Sequence, residues 1–247
     1  MRNIICILTI SVLFMACNNA SPVKAEKNNI LKTEHFTIHF TELDSANIGE
    51  VADSLENHYD AIVTSLQSSD MPMVYVNFYS KIEDLREAVK EVEPNLTDFA
   101  IGLAISVSEI HMLSPNHEGL EFQNMVKNTI HEFVHCVSLN INPEFANNPR
   151  WLWESVAQYK SNQLINPKFL GYLLEQTPPS INDLNQFTNM YMYEVGYVVS
   201  EYLVATYGES ILNKLIANNG DIESTLEMNE EEFTQAWFAF VKEKYEL

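Results

Sequence analysis

Two kinds of hydrophobic repeat divide the chain near its midpoint. In the first half, apolar and polar positions alternate, with many β-branched and aromatic residues, which is typical of strands. The stretches with this alternation are residues 35–40, 73–78 and 99–113, and the last is long enough for one or two strands. In the second half, apolar residues recur every three or four positions, which indicates amphipathic helices. The pattern predicts an α+β fold, with a small N-terminal mixed sheet and helices followed by a mostly helical C-terminal half.

Helix boundaries follow from capping and breaking residues. The predicted helices cover residues 48–63, 80–92, 119–139, 148–163, 167–175, 185 or later to 207, 211–216 and 229–245. We expect Asp44 or Ser45 to cap the first of these helices. Asn148 is expected to cap the fourth, with Pro149 at its first helical position. Gly208 should close the helix that ends at residue 207.

The histidines on the predicted strands are expected to face solvent. His35 and His39 share one face of the first strand and could bind a metal ion, but no carboxylate lies at a comparable spacing. Glu109 and His111 occupy the third alternating stretch. We interpret these two residues as solvated rather than functional.

The first 29 residues are predicted to direct and tether the protein rather than to join its fold. Arg2 precedes an uncharged, mostly apolar run at residues 3–16, which is too short to span a bilayer as a mature helix. The run and the following Cys17 resemble a bacterial lipoprotein signal, with residues 1–16 removed and the thiol lipidated. An ordinary secretory signal is the alternative. Residues 17–29 then form a flexible tether and residues 30–247 one folded domain.

The net charge of the chain narrows the classes of binding partner. The formal net charge of −20 argues against nucleic acid or an anionic membrane surface as a binding partner.

Of the three cysteines, Cys6 and Cys17 belong to the signal and its cleavage point. Cys136 is then alone in the mature domain, where no intrachain disulfide can form. We expect Cys136 to be a small buried apolar residue.

An H-E-x-x-H sequence lies within the predicted helix 119–139, at residues 131–135. Positions four apart lie on the same face of a helix, so His131 and His135 can face one metal ion, with Glu132 beside them. Catalytic zinc sites use imidazole nitrogen and carboxylate oxygen, with three protein ligands. A third ligand must therefore come from another element, unless the pattern has arisen by chance.

Glu154 is the candidate for the third ligand. It follows His135 after 18 intervening residues and lies on the helix predicted at 148–163, between two tryptophans. A carboxylate in such apolar surroundings needs a charged partner. That partner is either a metal ion or a basic residue nearby in sequence, Arg150 or Lys160.

These residues resemble the metal motif of the gluzincin metallopeptidases, the thermolysin-like group that binds zinc through two histidines and one glutamate. The matching positions are His131, Glu132, His135 and Glu154. The 18-residue spacing and the run W-L-W-E-x-x-A-x-Y are similar to the branch that contains aminopeptidase N. The resemblance implies a zincin-like fold, a Zn²⁺ cofactor, and His131, His135 and Glu154 as metal ligands.

A second segment extends the resemblance to the substrate side. The run from Tyr193, Y-E-V-G-Y, is similar to the Tyr-Glu-Lys-Gly segment of that branch, whose tyrosine stabilises the oxyanion. Tyr191 and Tyr197 are open alternatives to Tyr193. The aminopeptidases also carry a Gly-x-Met-Glu-Asn segment that binds the substrate amine, whereas this chain has V-S-E-I at residues 107–110. Glu109 could substitute there, but the difference favours an endopeptidase.

The resemblance implies zinc-dependent hydrolysis of peptide bonds by metal-activated water, with Glu132 as the general base. The substrate would be a peptide or protein whose backbone pairs with the strand in 99–113. Together with the signal, this predicts an exported bacterial lipoprotein, anchored to a membrane of the cell envelope through lipidated Cys17. The alternative is a non-catalytic, peptidase-like domain that binds a single envelope partner.

Overall fold

The structure is a computed structural model that describes residues 29–94, 96 and 100–247. The predicted signal segment and Cys17 lie outside the described residues. The described part has an α+β fold, in which a mixed sheet with helices is followed by a mostly helical half, as predicted. None of its helices combines the length and the apolar character needed to cross a membrane.

Five strands form the sheet. They are β1 (Asn29–Lys32), β2 (Phe36–Phe40), β3 (Val74–Tyr79), β4 (Gly102–Ser106) and β5 (Glu109–Leu113). Their spatial order is β1-β2-β3-β5-β4. The three inner strands are parallel, and β1 and β4 pair antiparallel at the two edges. The long alternating stretch of the sequence is thus a hairpin that places β4 at an edge.

The helices follow the predicted order with differences at their ends. They are α1 (Ile48–Ser65), α2 (Ile82–Val89), α3 (Phe122–Ile141), α4 (Arg150–Lys160), α5 (Gly171–Leu174), α6 (Ile181–Leu184), α7 (Tyr191–Tyr207), α8 (Ser210–Ala217), α9 (Ile222–Leu226) and α10 (Glu230–Tyr245). The helix predicted at 167–175 is a 3-10 turn followed by α5, and α6 and α9 are additional. The helix predicted to begin at residue 185 or later begins at Tyr191. Gly208 ends α7 with φ of +82°, which confirms the predicted stop.

Helix α3 belongs to both halves of the core. On the sheet side, the ring of Phe133 contacts the rings of Phe36 and Tyr59, at centroid distances of 5.1 and 5.4 Å. On the other side, α3 packs against α4, which in turn packs closely against α7. Cys136 is fully buried and has a free thiol, as predicted. Side chains on α3 are therefore held from two sides.

The predicted N-caps of α1 and α4 are wrong. The residue before α1 is Asn47, whereas Asp44 is completely buried and accepts hydrogen bonds from Ser114 Oγ at 2.5 Å and Asn116 Nδ2 at 3.0 Å. These partners lie about 70 residues away, so local sequence could not reveal them. In α4, Pro149 itself occupies the capping position, one residue later than predicted.

His35 is packed against α1 rather than simply solvated. Its Nδ1 atom lies 2.7 Å from Glu56 Oε2, and its ring stacks on Tyr59 with centroids 3.6 Å apart. The backbone N–H of His35 also donates to Glu56 Oε1 at 2.9 Å. The carboxylate that the strand itself lacks is supplied by the neighbouring helix.

The prediction that His111 is solvated is also wrong, because only 6% of the residue is exposed. His111 Nδ1 lies 2.7 Å from the hydroxyl oxygen of Tyr79, and Nε2 lies 3.0 Å from Glu109 Oε1. The Glu109 side chain is 43% exposed. Tyr79 comes from the neighbouring strand β3, so the contact depends on strand order.

Candidate metal centre

The two histidines of the H-E-x-x-H sequence share the buried face of α3. His131 is 7% exposed and His135 is 3% exposed, and their ring centroids lie 4.6 Å apart. One donor atom each from His131, Glu132 and His135 can be chosen so that all three atoms lie within 4.8 Å of one another. This buried group could therefore hold a metal ion.

Helix α4 brings Glu154 against this pair. After the loop at 142–149, α4 returns beside α3, and Glu154 Oε2 lies 3.1 Å from His131 Nε2. Glu154 is only 6% exposed. Lys160 instead pairs with Glu209, and within the described residues no lysine or arginine forms an ion pair with Glu154. The alternative of a basic partner nearby in sequence is thus not what the structure contains.

His135 provides a test of whether a metal ion fits here. Its Nδ1 atom is buried and has no hydrogen-bond partner, and its ring stacks on Trp153 with centroids 3.9 Å apart. Burial, with the charge of His131 as a smaller cause, lowers the pKa of His135 well below its ordinary value. A neutral imidazole is the form that binds metals. Two imidazoles beside carboxylates are suitable ligands for a divalent ion.

Glu132 is held at the edge of the sheet. Its Oε2 atom accepts a hydrogen bond of 2.8 Å from the backbone N–H of Ala104 on β4. Burial raises the pKa of Glu132 to about 7, a value that also reflects a lowering effect of His131 and a raising effect of Glu154. A carboxyl group with a pKa near neutrality can both accept and release a proton.

His131 is contacted at both ring nitrogens. Its Nδ1 atom lies 2.8 Å from Gln163 Oε1, on the side opposite Glu154. Burial alone would lower the pKa of His131, but the hydrogen bond and charge of Glu154 outweigh it and raise the pKa above its ordinary value. The charge of Glu132 and the contact with Gln163 act in the same direction. The contacts of Nδ1 with Gln163 and of Nε2 with Glu154 together fix the orientation of the His131 ring.

Of the three candidate tyrosines, Tyr193 is the one that lines the same cleft. Its hydroxyl donates to Glu154 Oε1 at 3.3 Å. Burial, followed by the charge of Glu154, raises the pKa of Tyr193 strongly, so its hydroxyl stays protonated at neutral pH. Tyr191 instead packs against Tyr172, and Tyr197 packs against a tyrosine of α4.

The site opens into a cleft of about 1020 Å³ between β4 and the helices. The metal-binding candidates, Glu132 and Tyr193 all line it. Its rim carries several exposed apolar side chains: Val92, Leu164, Ile165, Phe187 and Met190. Glu109 is not part of the lining, so it does not occupy the position of an amine-binding residue.

Sequence reasoning missed the supporting residues of the site. Gln163 and the Ala104 backbone contact His131 and Glu132 from distant parts of the chain. The sequence suggests Arg150 only as a partner of Glu154, but its guanidinium donates to the carbonyl oxygen of Gln186 at 2.6 Å and lies 5.0 Å from the ring centroid of Tyr193. Its position four residues before Glu154, on the same helix face, was the available signal.

Comparisons with known proteins add no family assignment. No family model matches the sequence, and no curated protein matches it either. The gluzincin resemblance and the function of the cleft are therefore hypotheses that depend on residues 131–135, on Glu154 and on their surroundings.

Proposed function

We propose that the protein is a zinc metallopeptidase of the gluzincin type, with a zincin-like fold, that cleaves peptide bonds in peptides or proteins. The observation that carries this proposal is the contact of Glu154 with His131, beside His135 and Glu132, in an open cleft. His131, His135 and Glu154 would hold the ion. Two imidazoles and one carboxylate are a recurrent ligand set of catalytic zinc.

Glu132 moves the proton in this reaction. A bound zinc ion would polarise the scissile carbonyl and make hydroxide available from water near neutral pH. Glu132 takes a proton from the attacking water at a carboxylate oxygen, and a C–O bond forms. It then gives the proton to the leaving nitrogen as the C–N bond breaks. The N–H of Ala104 fixes the carboxyl group during both transfers.

Two elements of the cleft would bind the substrate. Strand β4 is a sheet edge beside Glu132, and an extended peptide can add to such an edge through backbone hydrogen bonds. Tyr193 would donate its hydroxyl proton to the carbonyl oxygen as negative charge develops there. Because Glu109, the residue that could substitute for the amine-binding glutamate of the aminopeptidases, does not line the cleft, we favour cleavage within chains.

Export and membrane anchoring remain part of the proposal. They depend on the apolar run at 3–16 and on Cys17 as the lipidated residue. The natural chain should incorporate radiolabelled fatty acid in a bacterial host, and Cys17→Ser should not. Equal labelling of the two would exclude this anchor.

Cleavage and zinc content of the full-length chain and of Glu132→Gln test the proposal. Both proteins should bind zinc, because the proposed ligands are His131, His135 and Glu154. Cleavage by Glu132→Gln should be slower by about 100- to 10,000-fold, the usual contribution of a general base. Glu144→Gln, which changes an exposed glutamate after α3, is the matched control and should cleave normally. Equal cleavage by Glu132→Gln would contradict catalysis and favour the non-catalytic binding domain.

A further inference from the structure

We infer that Gln158 is a positioning residue, which fixes α7 against α4 and thereby places the Tyr193 hydroxyl at the candidate metal centre. The importance of that placement for catalysis rests on the proposed function. Gln158 lies on α4, and 2% of the residue is exposed. A polar side chain buried to that depth destabilises the fold unless its amide is hydrogen-bonded.

Both ends of the Gln158 amide are bonded to the backbone of α7. Its Nε2 atom donates to the carbonyl oxygen of Met192 at 3.2 Å. Its Oε1 atom accepts from the backbone N–H of Tyr197 at 3.2 Å. The amide nitrogen can only donate and the amide oxygen can only accept, so the two ends are not interchangeable. The amide therefore holds α7 in one position, and Tyr193 lies in the segment between the two bonded residues.

The glycine of the Y-E-V-G-Y run makes room for this amide. Gly196 is buried in the interior of α7, where glycine is less favourable than any residue except proline. A Cβ atom at Gly196 would lie 2.9 Å from Gln158 Oε1, closer than such atoms approach in proteins, and it would also overlap the methyl group of Met192. The close approach of the two helices thus accounts for a glycine that the helix itself disfavours.

Contacts four residues apart on both helices connect Gln158 with the metal centre. On α4, Glu154 lies four residues before Gln158, so the two side chains share one helix face. On α7, Tyr193 lies four residues before Tyr197. The Tyr193 hydroxyl donates to Glu154 Oε1 at 3.3 Å, next to the bond between Tyr197 and Gln158. A shift of α7 by one residue would move it by about 1.5 Å and would remove the Tyr193 hydroxyl from this position.

Two variants release α7 from the Gln158 amide. Gln158→Met keeps the length of the side chain but removes both hydrogen bonds. A misplacement of about 1 Å can lower a rate by about 100-fold, so we expect kcat to fall by about 10- to 100-fold. KM should stay within about 2-fold, because the hydroxyl acts on the transition state. Gly196→Ala, which pushes the amide away, should have the same effect, although alanine alone would favour the helix.

A double-mutant cycle with Tyr193→Phe distinguishes positioning from general damage. If Gln158 acts through the Tyr193 hydroxyl, Gln158→Met should lower kcat by no more than about 2-fold once that hydroxyl is absent. Val199→Ala, which shortens a fully buried side chain of α7, is the control. It should lower the midpoint of thermal unfolding through lost packing and leave kcat unchanged.

NMR of the full-length chain with ¹³C-labelled tyrosine rings, without metal, tests the placement independently of cleavage. The signal that disappears in Tyr193→Phe identifies the Tyr193 ring. This signal should move in Gln158→Met and in Gly196→Ala, because the ring leaves its position beside Glu154. It should stay in place in Val199→Ala. Thermal unfolding shows which variants are folded, and if one of the two variants fails to fold, the other decides the result.

The inference is overturned if the folded variants keep the natural Tyr193 signal, or if the signal moves and kcat does not change. It is also overturned if Gln158→Met lowers kcat equally with and without the Tyr193 hydroxyl. If the natural chain cleaves no peptide but the Tyr193 signal still moves in Gln158→Met, the proposed function fails and the positioning role stands.

Discussion

Two buried histidines, His131 on α3 and His111 on β5, have similar hydrogen-bond partners. They differ in whether a second histidine and an open cleft lie beside them. Each ring has a polar group at both nitrogens, and one of these groups is a glutamate. His111 is saturated by Tyr79 and Glu109 and has no second histidine beside it among the described residues. His131 has His135 as a neighbour, with a buried and unpartnered ring nitrogen, and a cleft of about 1020 Å³ in front.

The difference separates a candidate functional site from a histidine cluster that only supports the fold. A histidine between a tyrosine and a carboxylate can be a closed, satisfied arrangement that joins two strands and stabilises the fold. The α3–α4 group instead contains a second histidine, His135, whose buried Nδ1 atom has no hydrogen-bond partner, and it lies beside space for a substrate. Variants of the two clusters should therefore affect different properties.

Among the variants that compare the two clusters, Tyr193→Phe should have the largest effect, and this effect should be on the rate of peptide cleavage. Removing one donor to a developing oxyanion typically lowers kcat by about 100- to 1,000-fold, or roughly 3–4 kcal/mol. Zinc affinity should change little, since the hydroxyl is not a ligand. Steady-state peptide cleavage with zinc titration of the same sample measures both quantities.

Tyr197→Phe is the matched control for this prediction, because Tyr197 lies on α7 but outside the cleft lining. It should cleave at nearly the natural rate. If Tyr197→Phe lost activity and Tyr193→Phe did not, the assignment of Tyr193 as the oxyanion donor would be wrong.

The next effect concerns stability rather than activity. His111→Leu removes the partners of the Tyr79 hydroxyl and of one Glu109 oxygen. Leaving such groups without hydrogen bonds should lower the free energy of unfolding by about 1–3 kcal/mol, as measured by urea denaturation. Adding Tyr79→Phe should recover part of that loss. Zinc binding and cleavage should stay normal, and their loss in a folded His111→Leu would remove the contrast between the two clusters.

The smallest effect concerns the third paired histidine, His35. Burial alone would raise the pKa of Glu56, but hydrogen bonds from Thr33 and His35 and the charge of His35 lower it below its ordinary value of 4.5. A lowered carboxylate pKa stabilises the fold above pH 4.5, and this contribution disappears as the pH falls through the lower folded-state value.

Glu56→Gln should therefore be less stable than the natural chain at neutral pH, by less than about 1 kcal/mol because the pair is partly exposed. The difference should shrink in acid. Urea unfolding at a series of pH values measures it, and a difference that grows toward low pH would contradict the assignment.

Local sequence was sufficient for features that depend on spacing along one element. The strand alternation, the buried face of α3, the burial of Cys136 and the end of α7 at Gly208 were all predicted, and the structure confirms them. The approach of Glu154 to His131 was expected from a loop long enough to return the next helix beside α3, and the structure has this contact.

Features that depend on distant contacts were missed or wrong. Asp44 resembles an N-cap, but buried donors near residue 115 compete for its carboxylate. His111 alternates like a solvated strand residue, yet Tyr79 on the neighbouring strand completes its burial. Nothing in the spacing of Gln163 shows that it contacts α3, because that contact depends on how α4 ends.

The central claim is that His131, His135 and Glu154 together bind one metal ion. Zinc content, measured by elemental analysis of the dialysed full-length chain, of Glu154→Ala and of Glu109→Ala, tests it most directly. We expect one zinc per chain in the natural protein and in Glu109→Ala. In Glu154→Ala the affinity should be about 100- to 1,000-fold weaker, since each ligand of a zinc site contributes roughly 3–4 kcal/mol. Absence of zinc from the natural chain, or equal zinc affinity in Glu154→Ala, would contradict it.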